Sequence, residues 1–106
     1  KDTWTGLDKI GTRAIKNLGI NRSTANIVKN LADLKAFKLN QSAEAERLLN
    51  QAILVPMSVG SKAVLKMELA DILAFSGKFW DASLLYSQVE HDLKNNPLAY
   101  EAKFRN

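Results

Sequence analysis

The chain has 106 residues, 46% of them hydrophobic and 25% charged, with a formal net charge of +4. That balance fits one globular domain and excludes a disordered tail, while the lack of cysteine excludes a disulfide framework, a cysteine zinc site and a thiol nucleophile. The longest apolar run, Ala52 to Met57, falls far short of the roughly 20 residues of a membrane helix, and the first residues lack the charged-then-apolar build of a signal peptide.

Taken in order, the segments read as helices. Trp4, Leu7, Ile10, Ala14, Ile15 and Leu18 recur at the three-to-four spacing of one helical face, and Gly19 is placed to end that helix as a left-handed cap. Ser23 or Thr24 can cap a second helix reaching Phe37. A third follows Ser42, with Glu44 and Glu46 near the positive end of its dipole, and stops at Pro56 and the Ser58–Ser61 stretch. Ser61 can cap a fourth reaching Ser76 and Gly77. A fifth spans roughly Trp80 to Lys94, and Asn96 with Pro97 opens a sixth. No period-two strand pattern competes. The fold class expected is all-α.

Two of these helices match closely. "LADLKAF" at Leu31–Phe37 and "LADILAF" at Leu69–Phe75 agree at five of seven positions and lie 38 residues apart. The match extends back through Ala25 with Ala63 and Ile27 with Leu65, and on into Ala45–Gln51 with Ala82–Gln88. The repeating unit is helix, turn, helix, which buries its faces by stacking on its neighbours. On the second helix Ala25, Val28, Ala32 and Ala36 form one stripe, with Ile27, Leu31 and Leu34 nearly opposite; Ala63, Ala70 and Ala74 against Leu65, Leu69, Ile72 and Leu73 repeat the arrangement on the fourth.

The segment Asn17–Leu31 also has the layout of a DNA-binding helix-turn-helix, and the first forty residues are basic. A nucleic-acid-binding domain over residues 14–31, using Arg22, Asn26, Lys29 and Asn30, is the alternative reading. Against it, Ile27 lies among Ser23, Asn26 and Asn30 on the side that would read bases. The small residue expected four before the turn glycine is moreover Ile15.

Residues Glu68–Leu93 resemble a tetratricopeptide repeat: Leu69, Ala70, Leu73, Gly77, Phe79, Ala82, Tyr86 and Val89 fall at its pattern positions. In the first repeat Leu31, Ala32, Ala45, Leu49 and Ala52 fit, Lys35 stands where a large apolar residue is usual, and the turn glycine is missing. The resemblance implies a superhelix of stacked antiparallel helix pairs that binds proteins through a concave groove. Its units are 1–20 (a helix of a preceding repeat), 22–56, 60–95 and 96–106 (the start of a following helix). A fragment of a longer bacterial repeat protein, in a cell-envelope scaffold, is the setting it suggests.

In such a stack the first helices of successive repeats line the groove. The repeat match puts Asn26, Lys29, Asp33 and Phe37 in register with Val64, Met67, Asp71 and Phe75. The family's peptide clamp for a C-terminal carboxylate uses Lys and Asn, whereas Asp33 and Asp71 recur here. The expected partner is therefore a protein or peptide segment with a basic group near the aspartates and an apolar anchor near Phe37, Phe75 or Met67. No cofactor, metal or catalytic set is expected: His91 is the sole histidine, and phosphate-loop and Ser-His-Asp patterns are missing. Phe79 and Tyr86 are assigned to the core by their repeat positions, and Trp80 is open to either a packing or an interface role.

Overall fold

A computed structural model of the chain describes residues 2–95; the expected sixth helix lies outside the described residues. The elements are α1 (Asp2–Leu18), a 3-10 turn (Arg22–Thr24), α2 (Ala25–Phe37), α3 (Ser42–Ile53), α4 (Val59–Phe75) and α5 (Phe79–Lys94), with no strand among the described residues. The domain is all-α.

Gly19 ends α1 at φ +78°, its amide donating to the Ile15 carbonyl at 2.7 Å, a conformation that costs other residues steric strain. The start of the next helix departs from expectation. Asn21, rather than Ser23 or Thr24, is the capping residue: its Oδ1 accepts from the Ser23 and Thr24 amides at 2.8 and 3.2 Å, while Thr24 Oγ1 accepts from the Asn21 amide at 2.9 Å. Thr24 Oγ1 also donates to the Gly19 carbonyl, so the buried threonine ties the turn to the end of α1. Likewise Ser58, three residues before the expected Ser61, caps α4, its side chain accepting from the Ser61 amide. The extra turn this adds brings Gly60 into a buried position.

α2 packs against α1, α3 and α4; α3 packs against α4, and α4 against α5. One core cluster runs through α2–α5, with Val28, Leu49 and Ile72 its largest fully enclosed side chains; a smaller one joins Ala63 with Val89 and Leu93. Alanines at 32, 36, 45, 52, 63, 70 and 82 are all buried, which lets the helix backbones approach closely. Gly11 does the same for α1: a Cβ there would meet Leu31 Cδ1 at 3.0 Å.

The two irregularities of the first repeat are both resolved. Lys35, in register with the buried Leu73, is itself buried, and its Nζ lies 2.7 Å from Asp8 Oδ1 of α1. Asp8 Oδ1 has no aligned hydrogen-bond donor, so the contact is ionic. Asn40 supplies the positive φ (57°) that a turn glycine would have given, and Gly77 (φ 85°) supplies it in the second repeat. The first turn covers four residues (38–41) and the second three (76–78), which is why the first helices match at a spacing of 38 and the second helices at 37.

The apolar stripe of α1 is wider than its contact with α2. Trp4, Leu7, Ile10 and Leu18 remain 37–67% exposed, whereas Gly11 and Ile15 face the stack. Ala32 and Ala70 are fully enclosed. Ala32→Leu and Ala70→Leu should each overpack a helix contact and destabilise the fold by about 1–3 kcal/mol; unchanged thermal midpoints for both would contradict this packing.

Candidate functional site

α2 and α4 run side by side in the same direction, because equivalent turns meet along their length. At their N-terminal ends a cavity of about 130 Å³ is lined by Arg22, Ala25, Asn26 and Lys29 from one side and Met57, Ser61, Val64 and Leu65 from the other. Midway, Asp33 of α2 and Asp71 of α4 both lie close enough to Glu68 of α4 to perturb its titration. At the C-terminal ends the Phe37 and Phe75 rings meet edge to face, 4.8 Å between centroids. Seven of the eight expected groove residues thus fall along one cleft. The eighth, Met67, is partly buried on the Ala63–Val89–Leu93 cluster and so faces α5, because its helical position is rotated away from Val64 and Phe75.

The centre of the cleft is acidic in a way the repeat match did not disclose. Glu68 lies in register with Asn30 and has no acidic counterpart in the first repeat. Desolvation, then a hydrogen bond and repulsion from Asp33, push its carboxyl up to about 7, with Lys29 opposing and Asp71 adding to the rise. Glu68 Oε2 is buried and accepts no hydrogen bond; a proton on this carboxyl lets it bond to Asp33. Asp71 in turn accepts a short hydrogen bond from the Tyr86 hydroxyl, which together with burial raises the phenol to about 12. Tyr86 packs on the main core, as its repeat position suggests.

Phe79 departs from the core assignment: it is 68% exposed, since α5 packs chiefly on α4 among the described residues and the ring lies outside that contact. Trp80 (77% exposed) and Leu84 (55%) are also exposed on α5, and among the described residues Trp80 stays largely uncovered. His91 is exposed in the last turn, its Nε2 3.4 Å from the Asn95 amide nitrogen. A second, apolar trough of about 380 Å³ lies between α1 and α2, walled by Leu7 and Ile10 on one side and Ile27 and Leu34 on the other. Lys38 stands over the Trp4 ring at its rim, 5.3 Å from the centroid.

These two clefts separate the residues of the nucleic-acid alternative. Arg22, Asn26 and Lys29 line the cavity toward α4, while Asn30 lines the trough toward α1 together with Ile27. With α1, α3 and α4 all packed on it, α2 offers no helix-long face to a major groove. Comparison with protein-family models, with curated proteins and with solved structures gives no match. Among the described residues no helix is long and apolar enough to cross a membrane.

Two outcomes follow from this site. Because the folded-state value of Glu68 lies above its unfolded value, the fold holds a proton that the unfolded chain releases. Its stabilising contribution is present below about pH 4.5 and is lost as pH rises through about 7. Glu68→Gln should therefore flatten the wild-type decline in thermal midpoint between these pH values and exceed wild type above pH 7; parallel curves would contradict the shift. For nucleic acid, a random-site duplex library should yield no motif in a gel shift at physiological salt, only weak attraction that added salt abolishes.

Proposed function

We propose that the chain is a non-catalytic protein-interaction module built of tetratricopeptide-like helix pairs, which holds a partner segment in the cleft between α2 and α4. The observation that carries this reading is the facing of repeat-equivalent side chains: Asp33 with Asp71 around Glu68, and Phe37 with Phe75. Such a strip combines a charge that steers a basic group with an exposed ring, Phe75, that can anchor an apolar side chain. A lysine or arginine set among these three carboxyls takes over the compensation that the retained proton on Glu68 gives in the unbound fold.

Partners captured from a lysate by the wild type and by the double variant Asp33→Lys, Asp71→Lys test the reading. The variant should lose the captured species by about tenfold or more while keeping its helical circular dichroism, and the wild-type interaction should weaken with salt. Undiminished capture by a folded variant would remove the groove from consideration.

A further inference from the structure

The cleft is not uniform along its length. Its N-terminal end carries Arg22 and Lys29 with the Asn26 amide and Ser61 hydroxyl around one cavity. Its middle carries the carboxyls of Asp33, Glu68 and Asp71. Its C-terminal end carries the Phe37–Phe75 pair. We infer that the groove reads a fixed order of side chains along an extended partner segment: an acidic residue in the Arg22–Lys29 cavity, a basic residue at Asp33–Glu68–Asp71, and an apolar residue on Phe75. This rests on the groove being the binding face, and adds to it the partner's polarity.

The order follows from charge complementarity and the spacing from helix geometry. Lys29, Asp33 and Phe37 succeed one another at four-residue steps, about 6 Å each at a rise of ~1.5 Å per residue. The centre of the cavity lies somewhat farther back, toward Arg22. An extended segment advances ~3.3 Å per residue, so every second or third of its residues meets the next subsite. An extended occupant is favoured over a helix because the exposed Asn26 and Asp71 can engage main-chain amides and carbonyls, which a helix has already satisfied internally. Lys29 divides its charge between the cavity and Glu68, so the exposed Arg22 supplies most of the attraction for the acidic residue.

Two capped peptides of one composition test this: Ser-Glu-Ser-Ser-Lys-Ser-Phe-Ser, and the same peptide with Glu and Lys exchanged, each synthesised in both chain directions. Each is titrated into the chain at pH 8 and low salt and followed by amide shifts at Asn26, Lys29, Asp33 and Phe75. The peptides with the order acidic, basic, apolar should bind about tenfold tighter than the exchanged ones. Arg22→Glu, in a first helical turn where a carboxylate is well tolerated, should narrow the preference several-fold, since it removes the cavity's share and leaves the carboxyl cluster intact. Groove shifts with equal affinities, or a preference unmoved by Arg22→Glu, would overturn the inferred order and leave the groove standing; no shifts with any peptide would overturn both.

Discussion

α2 is packed by α1, α3 and α4 at once, and the whole stack depends on its tolerating that enclosure. Ala32 and Ala36 keep one side flat enough for neighbouring backbones to approach, while Leu31 fills the opposite side, nesting against Gly11 of α1. The only charged side chain buried on it, Lys35, is compensated by Asp8. A buried ammonium without that partner would cost several kcal/mol, so the ion pair fixes where α1 docks as much as the apolar contact does. On the other side of the stack Lys78 to Glu46 and Lys66 to Asp92, each 3.0 Å, tie the α4–α5 turn to α3 and α5 to α4. Both are partly exposed and contribute less.

A stack in which equivalent helices lie side by side brings each residue opposite its own copy. Apolar residues gain from this, as Phe37 and Phe75 do in their edge-to-face contact. Aspartates do not: Asp33 and Asp71 set like charges around Glu68, and the fold answers with a retained proton on Glu68, a hydroxyl from Tyr86 and the nearby Lys29. The paired aspartates of the cleft are thus a product of the repeat itself, and Glu68 is an addition of the second unit alone.

The helices and the register of α2 against α4 were legible in the sequence because period and repeat gave the same answer over residues 25–37 and 63–75. Glu68 was not, since its counterpart Asn30 lies toward α1 and a repeat argument carries over only residues that recur. Caps were placed two or three residues late because several neighbouring side chains, Asn21, Ser23 and Thr24 or Ser58 and Ser61, can accept amides of the same turn. The exposure of Phe79 and Ile10 depends on which neighbours cover a helix face, which periodicity along a single helix does not encode.

The attachment of α1 differs in kind from that of the other helices. Leu7, Ile10 and Leu18 stand largely in water while α1 is docked, so lifting it away uncovers less apolar surface than parting α2, α3 and α4 does. What it breaks is the Asp8–Lys35 pair, the Gly11–Leu31 contact and the packing of Ile15 on the core. The smaller opening should respond less steeply to denaturant than separation of α2, α3 and α4. The amides of α1 should therefore exchange with solvent through a local motion of that helix, and those of Val28, Leu49 and Ile72 only when the stack comes apart.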